Sequence, residues 1–253
     1  DPGPNDLLIR TTCSGVSIGT EFALIRHKIS WGPYPISTGY QAVGVVEHAG
    51  EAVEGFNVGD RVYTRRNKAI TYPDGTSVSS VFGTHCSRIV IDVDPEDTHG
   101  VERLPDNVSD EAGSLFVMPA VGLYGVDMAG PRMGETAVVY GAGLIGLGVV
   151  AACSHRGARV IAVDIDRHRL DVAQELGADD VVDGATQDVQ AEVERITAGG
   201  ADSVFESTGI PACIDEAIPL CREFGRFVFQ GNYGAEPVSF HFLPPHGRRI
   251  TAF

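Results

Sequence analysis

The chain has 253 residues, and 34 Asp plus Glu against 19 Lys plus Arg give it a formal charge of −15. That balance excludes the clustered cations which nucleic-acid phosphates and anionic membrane surfaces demand. Apolar residues make up 43% and charged residues 21%, a globular composition with enough apolar surface for one large domain or two ordinary ones, and no apolar run reaches membrane-spanning length.

Up to about residue 122, short alternating apolar runs are broken by Gly, Pro, Asp and Asn. Leu7–Arg10, Ala42–Glu47, Arg61–Thr64 and Arg88–Asp92 read as strands. Asn57-Val58-Gly59-Asp60 and Tyr72-Pro73-Asp74-Gly75 read as turns. This texture predicts a β-rich, barrel-like domain over residues 1–122. Asp110 to Ala129 reads as mostly helical, with Ala112, Leu115, Phe116 and Ala120 as a partial apolar stripe.

From residue 123 strand and helix alternate. Thr136–Tyr140 is a continuous apolar run, as expected of a strand buried on both faces. A glycine turn and a helix to about Ser154 follow. Arg159–Val163 is a second strand, Arg167–Leu176 a helix closed by Gly177, and Asp180–Val182 a short third strand. Val189–Thr197 is a helix, Ser203–Glu206 a fourth strand, Pro211–Arg222 a helix with Pro in its first turn, and Arg226–Gln230 a fifth strand. Arg248–Phe253 begins a sixth. Repeated βα units predict a doubly wound parallel sheet over residues 123–253, so the fold class is α/β. The opening Asp1-Pro2-Gly3-Pro4 and the stop inside the sixth strand read as a partial chain.

Gly141-Ala142-Gly143-Leu144-Ile145-Gly146 fits G-x-G-x-x-G after a strand and before a helix. In that context the first Gly allows the tight turn, the second lets the backbone approach a pyrophosphate, and the third lets helix and sheet pack closely. The amides near Leu144 and Ile145 open a helix, where backbone donors and the dipole favour an anion. Asp164 ends the second strand. An acid there accepts from the adenine ribose hydroxyls and repels a 2′-phosphate, which favours NAD(H) over NADP(H). Ile165 adjoins it, and Arg167 and Arg169 pull the other way, since a nearby Arg accepts a phosphate. Ser207, Thr208 and Gly209 after the fourth strand, with Gly231, Asn232 and Tyr233 after the fifth, are expected to line the nicotinamide half of the site.

With these motifs in view, the chain resembles the medium-chain dehydrogenase/reductase superfamily. The second half carries the glycine turn, Asp164, Arg169-Leu170, Glu175-Leu176-Gly177-Ala178-Asp179, Gly200-Ala201-Asp202 and Gly225-Arg226. The first half carries Gly15-Val16-Ser17-Ile18-Gly19-Thr20-Glu21, Gly39-Tyr40-Gln41-Ala42-Val43-Gly44 and Gly59-Asp60-Arg61-Val62, similar to the family's GroES-like domain. The resemblance implies a GroES-like domain followed by a Rossmann domain, nicotinamide bound between them, a small-molecule substrate, a homodimer, and a missing last segment.

The departures from the zinc-dependent branch are as informative. Its cysteine position holds Ser17, its Gly-His-Glu reads Gly39-Tyr40-Gln41, and its late ligand position holds Met118. A hydroxyl, a phenol, an amide and a thioether do not make a tetrahedral zinc site. The five cysteines (Cys13, Cys86, Cys153, Cys213, Cys221) form no Cys-x-x-Cys pair. They write neither a zinc lobe nor a disulfide framework, and a reducing cytoplasm is expected. His27, His48 and His85 are scattered and read as surface or hydrogen-bonded groups. No metal is expected. The Ser-x-Gly-Thr-Glu variant looks like a subgroup that includes the bacteriochlorophyllide hydroxyethyl dehydrogenases.

Without zinc, charge on the reacting oxygen needs hydrogen-bond donors and a proton carrier. Tyr40, with Ser17 and Thr20 extending a relay, is the expected catalytic set. For Tyr40 the competing reading is a packing residue, and for Ser17 and Thr20 it is a loop or helix-capping hydroxyl. Glu21 is expected to be a solvated acid or a first-turn residue. The leading expectation is a zinc-independent NAD-dependent oxidoreductase interconverting a secondary alcohol and a ketone. The alternatives are a quinone or enoyl reductase using NAD(P)H, and a non-catalytic nucleotide-binding protein.

Overall fold

The computed structural model describes residues 2–30, 32–68, 70–79, 82–97 and 100–253, so Asp1 of the opening stretch lies outside the described residues. The chain divides into two compact units, 1–117 and 118–253.

The first unit runs β1 (Asp6–Ser14), α1 (Ile18–Ile25), β2 (Ala42–Ala49), β3 (Arg61–Thr64), β4 (Ile70–Thr71), β5 (Ser77–Val78), β6 (Arg88–Asp92), β7 (Val101–Arg103) and α2 (Asp110–Ser114). Its main sheet is antiparallel in the order β6-β1-β2-β3-β7. Two register shifts in β1, at Leu8/Ile9 and Thr11/Cys13, bend the strand as bulges do, which suits a curved sheet. Leu7, Ile9, Val46, Val62, Ile89 and Ile91 fill the core. Both expected turns form: Asp60 N donates to Asn57 O, and Gly75 N to Tyr72 O in the β4–β5 hairpin.

The second unit holds α3 (Val117–Ala129), β8 (Thr136–Tyr140), α4 (Leu144–His155), β9 (Arg159–Asp164), α5 (Arg167–Glu175), β10 (Asp180–Asp183), α6 (Val189–Thr197), β11 (Ala201–Glu206), α7 (Pro211–Ala217), β12 (Cys221–Phe229), α8 (Leu243–Gly247) and β13 (Thr251–Ala252). Its six strands are parallel in the order β10-β9-β8-β11-β12-β13. Alternate residues of β8 enter different cores: Ala137 and Val139 pack with Val149, Leu170 and Phe205, while Val138 packs with Ile161, Val204 and Phe227. Both faces are therefore covered, which is why β8 is apolar throughout. Each such buried side chain contributes roughly 1.5–3 kcal/mol. From β8 the strands are added first on one side, β9 and then β10, and afterwards on the other, from β11 onward, and doubly wound sheets open a crevice at the carboxyl ends where this switch occurs.

Prolines account for two corrections. The expected helix 110–129 is broken at Leu115 and Phe116, because a continuous helix would drive the Pro119 ring into the Leu115 carbonyl. Its expected stripe is not the buried face: Ala112 and Phe116 are exposed, and Gly113, Ser114, Val117, Met118 and Val126 are buried instead. Restarted at Val117, α3 comes close to α4 at Gly122, where a Cβ would lie 2.5 Å from Ile145 O. The two compact units part between Val117 and Met118. The helix expected over 211–222 ends at Ala217, then tightens to a 3₁₀ turn at Ile218–Leu220 around Pro219, and Cys221 and Arg222 already belong to β12. Helix α8 carries no motif that announced it, and α1 is foreshadowed only by the helix-capping reading of Ser17 and Thr20 and the first-turn reading of Glu21. No helix among the described residues is long and apolar enough to cross a membrane.

Candidate functional site

The glycine turn leaves the carboxyl end of β8. Gly141 has φ +100°, and a Cβ there would lie 2.8 Å from Thr208 Cγ2. A Cβ on Gly146 would lie 1.8 Å from Gly141 O, so turn and helix touch backbone to backbone. Gly143 differs from both. Its φ of −74° is open to any residue, and a Cβ there would meet no protein atom within 4 Å. Neither backbone strain nor packing asks for glycine at 143, and the space above it is open. Gly143 also N-caps α4 without a side chain, so no side-chain oxygen caps the first turn at Leu144, Ile145 and Gly146.

Asp164, 8% exposed, is wired into this turn: Oδ2 accepts from Ala142 N at 2.7 Å and Oδ1 from Asp166 N at 2.9 Å. Each oxygen keeps a second lone pair for another donor. Arg169 stands 3.8 Å from the carboxylates of both Asp164 and Asp166, and Ile165 is exposed.

The loops after β11 and β12 meet at the same edge. Ser207 N donates to Tyr140 O, and Gln230 N and Gly231 N donate to Glu206 O. A Cβ on Gly209 would approach Asn232 O to 2.9 Å. Gly141, Gly143, Leu144, Ile145, Gly146, Ser207, Thr208, Gly231 and Asn232 thus share one edge of the second unit. Glu206, which carried no motif in the sequence, ties this edge together. It is fully buried and accepts from the Thr208 amide and hydroxyl and from the Tyr233 hydroxyl. Burial and the Glu206 carboxylate push the Tyr233 phenol above its ordinary pKa, so it stays protonated near neutrality. The available signal was an acid closing an apolar strand, the same pattern as Asp164.

In the first unit, Tyr40 precedes β2, is 8% exposed and packs edge-on against Phe82 at 5.8 Å. Gln41 is fully buried. Its amide donates to Thr84 Oγ1 at 3.1 Å, its Nε2 to Gly15 O at 3.4 Å, and its Oε1 accepts from Val117 N at 3.1 Å. Ser17 is buried at the N-cap of α1, but its hydroxyl makes no capping bond. Thr20 is half-buried in the first turn.

Glu21 lies in the first turn of α1, one of its two expected readings, but it is not the solvated acid of the other. It is only 6% exposed: Oε1 accepts from Ser17 N and Oε2 lies 2.9 Å from His85 Nε2. His85 Nδ1 in turn lies 2.9 Å from Ser14 Oγ. An acid in the first turn that reaches back to the N-cap amide satisfies an orphan donor of α1, which draws it inward. Burial opposes the charged form of Glu21, yet the bonds from His85, the Ser17 amide and the Thr38 hydroxyl prevail, and its pKa lies below the usual glutamate value. A group so depressed stabilises the fold above the unfolded-state pKa, and that contribution disappears as pH falls through the folded-state value. Thermal melts from about pH 6 to about pH 3 should show a falling Tm, and Glu21→Gln should flatten that fall. Parallel curves for the two proteins would remove Glu21 from the account.

The zinc-branch positions do not fit a metal. Gln41 spends its side chain on Gly15 and Val117, and Ser17, Tyr40 and Met118 bring a hydroxyl, a phenol and a thioether. Among the described residues no group of three or more His, Cys, Asp or Glu is placed to hold a metal ion. His48 is exposed on β2, and His27 lies beside Tyr34 at the end of α1.

Comparison with known proteins agrees with this architecture. Residues 3–96 match the model of the alcohol dehydrogenase GroES-like domain, and residues 145–253 match that of the zinc-binding dehydrogenases. The chain is 32% identical over 212 residues to (R,R)-butanediol dehydrogenase of Bacillus subtilis strain 168, an alignment that covers 76% of this chain and spans only 57% of that relative's length. The crystal structure of 2R,3R-butanediol dehydrogenase from Bacillus subtilis superposes with a TM-score of 0.81 at 27% identity, covering all of this chain and 77% of that one. A structure from Sinorhizobium meliloti 1021, described as a zinc-binding dehydrogenase bound to NADP, gives 0.82 at 25%, again covering all of this chain and 77% of the other. Two family models in tandem, a parallel sheet in dinucleotide-binding order and a glycine turn at its switch point lead to one conclusion: the chain belongs to the medium-chain dehydrogenase/reductase superfamily.

Proposed function

We propose that this chain is an NAD(H)-dependent oxidoreductase that interconverts a secondary alcohol and a ketone without zinc. The observation that carries the reading is the open space over Gly143 beside the uncapped first turn of α4, with Asp164 fixed next to it. The amides of Leu144 and Ile145 hold a pyrophosphate there, and Asp164 accepts from the adenine ribose through its remaining lone pairs. Thr208 and Asn232, on loops held by Glu206, line the nicotinamide half. A nicotinamide held there would supply the hydride acceptor for the carbinol carbon. Tyr40 hydrogen-bonds the substrate oxygen through its phenol, and Ser17 and Thr20 continue the path for the proton. Family relatives named for butanediol and NADP support a nicotinamide cofactor and an alcohol substrate. Five unpaired thiols suit a reducing compartment.

The test is a substrate panel: secondary alcohols with NAD and with NADP, and enones with NADH and NADPH. Turnover of alcohols, faster with NAD, is the expected result. Enone reduction alone would replace the reading with a quinone or enoyl reductase, and cofactor binding with no turnover on either set would leave a nucleotide-binding protein.

A further inference from the structure

Arg65 lies between two arginines whose charges are engaged. Arg61 binds Asp110 and the Val108 carbonyl, and Arg66 binds Asp92 and Asp97. Among the described residues Arg65 has neither an ion pair nor a hydrogen bond, and its Nε is buried without an acceptor. It is half-buried, in a chain of net charge −15 where most guanidinium groups find a carboxylate. The Tyr63 hydroxyl is also buried without a partner. Burial, the larger effect, pushes the Tyr63 phenol up to about 12, with Arg65 and Tyr40 both within electrostatic reach of it. Tyr63 is therefore a neutral donor at physiological pH.

Arg65 and Tyr40 meet the same aromatic ring. The Arg65 guanidinium stands 5.9 Å from the centre of the Phe82 ring, and Tyr40 packs edge-on against the same ring at 5.8 Å. Tyr63 packs edge-on against Phe116 at 5.4 Å. Val62 and Thr64 face the other way and are fully buried, so Tyr63 projects from the opposite face of β3. Unmet buried donors are costly, and native structures keep few of them without a role. A guanidinium fork and a phenol beside it, both lacking acceptors, match a group that only accepts.

The geometry points to an oxyanion subsite formed by Arg65 and Tyr63 next to Tyr40, which takes the carboxylate or phosphate-ester group of the substrate. The substrate class narrows to hydroxy acids and phosphorylated alcohols and their keto forms. The assignment of this group to the substrate rests on the redox reading of Tyr40, while the oxyanion chemistry of the subsite does not.

The test compares wild type, Arg65→Met, Arg65→Lys and Tyr63→Phe on 3-hydroxybutyrate, on the phosphate monoester of propane-1,2-diol, and on neutral butan-2-ol at saturating NAD. Wild type should favour one of the anionic substrates. Arg65→Met should lower the anionic-to-neutral ratio of kcat/KM by about ten- to a hundredfold, mostly through KM. Arg65→Lys should recover part of it, since the charge remains and the fork is lost. Tyr63→Phe, which removes one oxygen, should lower the ratio by a smaller factor. A ratio unchanged in all three variants overturns the subsite. Calorimetric titration with 3-hydroxybutyrate and with orthophosphate separates the two claims, because it needs no turnover. Arg65-dependent binding without turnover of any alcohol would sink the redox reading and keep the subsite. Turnover of butan-2-ol with no Arg65-dependent anion binding would do the reverse. Tight orthophosphate binding with no preference for either anionic alcohol would assign the subsite to free phosphate and overturn its place in substrate recognition.

Discussion

Gly143→Val should leave the fold intact and reduce dinucleotide binding at least about a hundredfold, whereas Gly146→Ala should unfold the turn itself. The two glycines differ in what surrounds them. A side chain at 143 would project into open space from a backbone that any residue adopts, so the stability change should stay within about 0.5 kcal/mol. The same side chain would fill the place where a pyrophosphate meets the first turn of α4. At 146 a single methyl would sit 1.8 Å from Gly141 O. Neither backbone can yield without parting α4 from β8, and a loss of roughly 2–4 kcal/mol is expected, in the range of overpacking and backbone strain. Thermal melts paired with calorimetric NAD titrations distinguish the cases. A Gly143→Val protein that binds NAD as wild type does would remove the pyrophosphate from this turn.

Asp164→Gly should raise the Kd for NAD about ten- to a hundredfold and change that for NADP much less. On the proposed reading the carboxylate would accept from the ribose hydroxyls in one case and repel a 2′-phosphate in the other. Arg169, 3.8 Å from Asp164, would then face a phosphate with no competing charge at 164. The substitution also strips acceptors from Ala142 N and Asp166 N, so a stability cost of about 1–3 kcal/mol accompanies it. Asp164→Asn keeps one acceptor oxygen and should sit between the two proteins. An equal loss for NAD and NADP would mean that the ribose lies elsewhere.

What could be read directly from the sequence follows from periodicity and local chemistry. The strands Arg61–Thr64 and Thr136–Tyr140 and the helix Val189–Thr197 have the bounds their patterns predict. Their signals are confined to neighbouring residues, and the glycine turn is likewise local. What was hidden depends on residues brought together from far along the chain. Glu21 reads as a solvated acid or a first-turn residue, and nothing local shows that His85, 64 positions later, pairs with it. Glu206 reads as a strand end until Tyr233 and Thr208 close on it. Nothing local distinguishes Arg65 from Arg66, yet among the described residues carboxylates bind Arg66 and not Arg65. Pro119 and Pro219 were visible, but the apolar pattern around them outweighed the backbone rule that they impose. Both prolines mark segments that break, although the breaks themselves fall upstream of them, at Leu115-Phe116 and after Ala217.

The central claim is that protein hydroxyls near Tyr40 perform the task a zinc ion performs in the metal-dependent branch. Its most direct test is the rate of NAD reduction by a secondary alcohol, measured on protein dialysed against a chelator, alongside the zinc content of the same sample. The account predicts full activity with well under about one zinc per chain, as expected where thiolate, imidazole and carboxylate ligands are missing. Activity that vanishes on dialysis and returns in proportion to added zinc would contradict it.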